Sequence, residues 1–158
     1  MGGKNEMIKQ AKPEQLEVIK FITQKTIKEI YPHYYPKGAV DFFLAHHNDI
    51  DISKDIASNQ VFMVFDKEDA VGTVTIHKNE ICRLFVLPKY QKRGFGSQLL
   101  NFSEDIILKQ YDNIVLDASL PAKNIYLKKG YVIVETHSIQ THHNDYLCYD
   151  VMKKDVHK

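Results

Sequence analysis

Leu84-Phe85-Val86-Leu87-Pro88-Lys89-Tyr90-Gln91-Lys92-Arg93-Gly94-Phe95-Gly96-Ser97-Gln98-Leu99-Leu100 is the stretch that decides the fold of this chain. Its upstream part, Ile81 to Leu87, is almost wholly apolar, as in a central strand buried on both faces, and Pro88 ends it. A loop with two glycines then passes into a helical pattern from Phe95 to about Gln110, with Leu99, Phe102 and Ile106 on one side. Where such a loop becomes a helix, several backbone N–H groups converge on one point with the positive end of the helix dipole behind them. That turn is built for an anion. Lys89, Lys92 and Arg93 lie beside it and suit a ligand with several phosphate charges, as in a pyrophosphate.

Two other phosphate patterns fail on detail. A Walker loop has Lys-Ser/Thr after its last glycine, and here Ser97-Gln98 follows. A dinucleotide loop has a third glycine where Leu99 stands and its first glycine close behind the strand, whereas Pro88 to Arg93 intervene here.

Working outward, Ile114 to Ala118 reads as a strand, so strand, crossover helix and strand imply a parallel pair. Val61 to Phe65, the turn Asp66 to Asp69 and Ala70 to His77 predict a hairpin, and a second turn at Lys78-Asn79 leads into the central strand. Met7 to Gln10 is a short first strand. Pro13 then opens a helix with Leu16, Ile19, Ile22, Thr26 and Ile30 near one face. Tyr31 to Gly38, with two prolines and a glycine around an aromatic cluster, predicts a loop. Val40, Phe43 and Leu44 predict a second short helix, followed by a polar stretch through Asn59. Ala122 to Lys129 forms another, closed by Gly130 in the left-handed conformation. Tyr131 to Ile139 and Tyr146 to Met152 make a final hairpin across Gln140 to Asp145.

The expected architecture is a single α/β domain of the α+β kind over residues 1–158. It has a mixed, mostly antiparallel sheet of six to seven strands flanked by about four helices.

Composition excludes several function classes. At 44% hydrophobic and 26% charged, the chain has the balance of a globular protein rather than of a disordered one. With 21 basic and 20 acidic residues, its net charge of +1 supplies no field to draw nucleic acid or a membrane surface. No apolar run reaches the roughly 20 residues of a membrane span. Met1 to Asn5 lacks the apolar stretch of a signal peptide, so a cytoplasmic location is expected. Cys82 and Cys148 form no CxxC and sit in apolar, strand-like segments, where buried reduced thiols are expected. The adjacent pairs His46-His47 and His142-His143 are poorly placed to chelate one ion, so no metal is expected. Phe42 and Phe43 read as core.

A second motif completes the picture: Tyr126-Leu127-Lys128-Lys129-Gly130-Tyr131 ends the short helix. An apolar strand ending in Val-x-Pro, here Val86-Leu87-Pro88, precedes Gln-x-x-Gly-x-Gly, here Gln91 to Gly96. With Tyr-x-x-x-Gly-Tyr after a helix and a strand, this order resembles the GNAT superfamily of N-acetyltransferases. The likeness runs from about Met7 to Met152 and is strong between Glu80 and Tyr131.

The resemblance implies that the strands ending at Leu87 and Ala118 splay apart, so that the pantetheine arm of acetyl-CoA lies between them. It implies cofactor contacts at Phe85, Val86, Gln91, Lys92, Arg93, Gly94, Phe95, Gly96 and Ser97. Ser119 stands where many relatives carry an asparagine that bonds the cofactor. The implied reaction moves acetyl from acetyl-CoA to a primary amine by direct attack in a ternary complex; a CoA-binding sensor or assembly module with little turnover is the alternative.

An amine of pKa about 10.4 costs about 4.6 kcal/mol to deprotonate at pH 7, so a base is needed. Glu80, fourteen positions before Gly94, matches the base glutamate of some family members, with His77 and Asp117 as substitutes. Tyr126 matches the family's proton donor to the leaving thiolate. Tyr31, His33, Tyr34 and Tyr35 fall where relatives build the acceptor site, whose amine is left open. The final hairpin offers an edge for a homodimer.

Overall fold

In a computed structural model that describes residues 7–156, the period-two runs become strands and the period-3.6 runs become helices. The order is β1 (Ile8–Gln10), α1 (Leu16–Ile30), α2 (Lys37–His46), α3 (Asp49–Ala57), β2 (Val61–Asp66), β3 (Asp69–His77) and β4 (Glu80–Val86). Then follow α4 (Phe95–Ile107), β5 (Asn113–Ala118), α5 (Lys123–Lys128), β6 (Val132–Gln140) and β7 (Tyr146–Asp155). Four of these helices have nine residues or more, and α5 has six. Met1 to Asn5, on which the expectation about a leader rested, lie outside the described residues. No helix among the described residues is long and apolar enough to cross a membrane.

All seven strands form one sheet in the order β1-β2-β3-β4-β5-β7-β6. Every pairing is antiparallel except β4 with β5. That parallel pair is short: Glu80 lies against Val115 and Ile81 against Leu116, and no further register joins the two strands. A bulge in β4 begins there. Between Thr75↔Cys82 and Thr73↔Phe85, β3 advances two residues and β4 three. The extra residue bends the strand, and Arg83 takes φ +44° at the bend. The expected splay of the central strands is thus built by a bulge the sequence did not announce.

Alternation along β2 divides the core between the two faces of the sheet. Val64 joins Val86, Leu99, Leu100 and Ile107 on the α4 side, together with Tyr126 and Tyr131. Val61 and Met63 pack on the other side with Ile19 of α1 and Ile52 and Ile56 of α3. Ile22, Ile27, Ala39, Val40, Phe85 and Leu87 form a further cluster where α1 and α2 cover the end of β4. The sheet is therefore the middle layer of three.

Two segments depart from expectation. Tyr31 to His33 form a 3-10 turn, and α2 begins at Lys37, so Gly38 lies inside a helix rather than in a loop. Its lack of a side chain serves packing. A Cβ there would collide with Thr141 and Asp145 of the β6–β7 turn, and its N–H donates to Asp145 Oδ2 at 3.0 Å. The polar stretch before Asn59 contains α3, capped by Asn48, whose side-chain oxygen accepts from the Asp51 N–H at 3.0 Å. Cys148 is exposed, not buried, because Leu147 takes the inward position beside it in β7. At the sheet edge, β6 pairs only with β7 and leaves Val132, Ile133 and Val134 exposed.

Candidate active site

The loop from Pro88 to Gly94 is held by its own residues. Gln91 donates from Nε2 to the Val86 carbonyl at 2.9 Å, tying the loop back to the end of β4. The Arg93 guanidinium lies 5.4 Å from the Tyr90 ring and 5.5 Å from the Phe95 ring, and its Nη2 is 3.3 Å from Asp66 Oδ2. Lys92, Gly94 and Ser97 are exposed. Gly94 has φ +90°, the left-handed region that glycine enters without strain, and it stands at the N-cap of α4. No side chain caps this helix, and its first backbone bond runs from Gln98 N–H to the Gly94 carbonyl at 3.0 Å. The N–H groups of Phe95, Gly96 and Ser97 therefore precede the helical ladder and face outward from its positive end. Phe95 itself is buried, so it contributes backbone while its ring anchors the turn.

Past Ile81, β4 has no strand beside it on the β5 side, and a cleft of about 290 Å³ opens there. Glu80, Cys82 and Phe85 line it from β4, Asp117 and Ser119 from the β5 side, and Tyr126 from α5. Tyr31, Phe42, Phe43, His46 and His47 close its other wall. Phe42 and Phe43 thus face the cleft and are not simple core, since α2 lies over the gap. Of the four residues expected at an acceptor site, Tyr31 alone reaches the cleft. Tyr35 is buried as a brace: its hydroxyl accepts from the Leu120 N–H at 2.7 Å and donates to the Cys148 carbonyl at 3.3 Å. His33 and Tyr34 are exposed and do not line it.

The electrostatics of the cleft follow from its burial. Burial, and then the neighbouring Asp117 carboxylate, push the Glu80 pKa above the usual carboxylate range. Asp117 is raised too, mainly by burial. Desolvation raises Tyr126 well above the ordinary phenol, so it carries its proton at neutral pH. Burial pushes Tyr31 up to about 12, with the Ser119 side chain acting in the opposite direction. His47 is brought down to about 3 by burial, with Arg83 and His46 adding to the effect, and it is neutral.

A polar network behind the cleft was not legible in the sequence. Arg83, at the bulge, pairs with buried Asp55 of α3 and donates from Nε to His47 Nδ1 at 3.2 Å. Asp55 also meets His77 Nε2 at 3.0 Å. Removing either Arg83 or Asp55 would strand the other charge, a loss of about 3–5 kcal/mol for a buried pair.

Residues 30–152 match the family described as an acetyltransferase (GNAT) domain. The chain belongs to the GNAT acetyltransferase family. Over 85 residues it is 28% identical to the uncharacterized N-acetyltransferase YafP of Escherichia coli K12, a stretch covering 54% of each chain. The match spans about half the length of that relative. Among solved structures, a GCN5-related N-acetyltransferase from Rhodopseudomonas palustris superposes with TM-score 0.85 at 19% identity, covering 94% of both chains. The PaiA N-acetyltransferase of Thermoplasma acidophilum, solved with coenzyme A, gives TM-score 0.72 at 20% identity, covering 94% of this chain and 97% of that one. These structures share the fold of this chain.

Proposed function

We propose that this GNAT chain transfers acetyl from acetyl-CoA to a primary amine held in the cleft between β4 and β5. One observation carries the reading: the strands part after Ile81, and the opening is lined by Glu80 and Tyr126 and runs along β4 to Phe85, next to Val86, whose side chain lies 3.8 Å from where a Cβ on Gly96 of the uncapped α4 turn would stand. An uncapped, glycine-bearing helix start fits a diphosphate, and an unpaired strand flank fits an extended pantetheine arm.

The amides of Phe95, Gly96 and Ser97 would hold the diphosphate, with Lys92 and Arg93 beside it. The backbone of Phe85 and Val86 would hold the arm, and Ser119 presents a hydroxyl on the opposite flank. Acetyl-CoA supplies an acyl carbon activated as a thioester. Glu80, half-buried, takes a proton from the incoming ammonium group, directly or through water. Tyr126 keeps its phenolic proton for the departing sulfur. The aromatic wall of Tyr31, Phe42 and Phe43 excludes water and suits a cationic amine before it loses its proton. A module that only bound CoA would need neither a carboxylate nor a phenol facing this gap.

The test is a screen of primary amines that follows free thiol release from acetyl-CoA, run beside Glu80→Gln. Release that depends on both the amine and Glu80 supports the reading. Binding of acetyl-CoA with no release for any amine class would favour the sensor alternative.

A further inference from the structure

We propose that His77, Glu80 and Cys82 form a site for a zinc-like divalent ion at the rim of the cleft. The two-residue turn Lys78-Asn79 sets His77 directly opposite Glu80 across the β3–β4 hairpin. Alternation along β4 puts Cys82 on the same face as Glu80. The three side chains therefore converge, with one donor atom from each within 4.8 Å of the others.

The histidine is oriented as a metal ligand is. Its Nε2 meets Asp55 Oδ1 at 3.0 Å, while its Nδ1 points at Cys82 Sγ, 3.8 Å away. A carboxylate on one ring nitrogen selects the Nε2–H tautomer and leaves the Nδ1 lone pair aimed at the cluster, the outer-shell arrangement of zinc-bound imidazoles. Asp55 is itself fixed by its pairing with Arg83. One imidazole, one thiolate and one carboxylate make a donor set suited to zinc, and three protein ligands leave a fourth position for water. The Cys82 thiol releases its proton to solvent as the ion binds, and the sulfur lone pair forms the bond to the metal. Glu80 then has two uses, and, on the reading above in which it is the base, an ion held there silences transfer.

Cobalt(II) titration of the full chain reads the site without reference to activity. One equivalent should produce a thiolate-to-cobalt charge-transfer band with the strong visible bands of four-coordinate cobalt. Cys148→Ser should keep the band and Cys82→Ser should lose it. Asp55→Asn, a change of outer-shell partner, should weaken binding by roughly 10–100-fold. Absence of stoichiometric binding, or a band that survives Cys82→Ser, overturns the proposal. Zinc should also lower the rate of acetylated product formation, reversibly with a chelator, in the wild type but not in Cys82→Ser. Cobalt binding as predicted with a rate indifferent to zinc would keep the site and remove Glu80 as the base.

Discussion

Gln91 reaches from the loop after β4 to the carbonyl of Val86, the last residue of that strand, at 2.9 Å. The bond couples the two parts of the proposed cofactor site, because the loop that positions the α4 amides is fastened to the strand flank that would take the pantetheine arm. Losing one such bond is worth about 1 kcal/mol. Gln91→Ala should therefore lower the melting temperature by about 2–4 °C and, as the loop loosens from the strand, raise the Kd for CoA by up to roughly fivefold, measured by thermal denaturation and calorimetry.

The two glycines of the turn should behave differently. Gly94 is at φ +90°, so Gly94→Ala should cost about 1–2 kcal/mol of stability even though its Cβ would meet open space. At Gly96 a Cβ would find only Val86 Cγ2 at 3.8 Å, an ordinary contact. Gly96→Ala should leave stability within about 0.5 kcal/mol of wild type or raise it. Denaturant titration of both variants decides the comparison.

Tyr126 is buried with its phenol protonated and lines the cleft. Tyr126→Phe keeps the ring packed edge-on against Tyr131 but removes the proton. In steady-state kinetics kcat should fall roughly 10²–10⁴-fold, the usual range for a lost general acid, with CoA affinity near wild type. An unchanged kcat would take Tyr126 out of the chemistry.

Asp150 of β7 accepts from Thr136 Oγ1 at 2.7 Å and pairs with Lys123 Nζ at 3.0 Å, fastening α5 and β6 to the sheet. These bonds, Thr136 first and Lys123 second, hold its pKa below the ordinary 3.8. Its contribution to stability is therefore fully present above the unfolded value and disappears as pH falls through the lowered folded one. Asp150→Asn should be less stable than wild type at neutral pH, and the difference should shrink as pH falls below about 3.8. Denaturant midpoints across pH 2–7 test this.

The readable part of the chain was the part whose structure is local. The apolar run before Pro88, the glycine turn into α4 and the Tyr126 to Tyr131 motif each carry their conformation in a few neighbouring residues, and all appear where expected. Helix α3 escaped because its core positions, Ile52 and Ile56, are two residues among charged ones, and only contact with α1 and β2 reveals them as buried.

The cleft wall was harder still. His46 and His47 read only as an adjacent pair poorly placed to chelate an ion, and Phe42 and Phe43 as core, whereas all four line the gap because α2 lies over it. Asp55, His77 and Arg83 come from α3, β3 and β4, so no spacing in the sequence relates them. Tyr35 has the opposite lesson: expected at the acceptor site, it instead uses its hydroxyl to brace the chain after β5.

The central claim is that the α4 turn and the gap beside β4 hold coenzyme A, and isothermal titration of the protein with CoA tests it most directly. The account predicts saturable one-to-one binding that a folded Gly94→Val/Gly96→Val double variant loses by at least about tenfold, or about 1.4 kcal/mol. No heat with the wild type, or wild-type affinity in that variant, would contradict it.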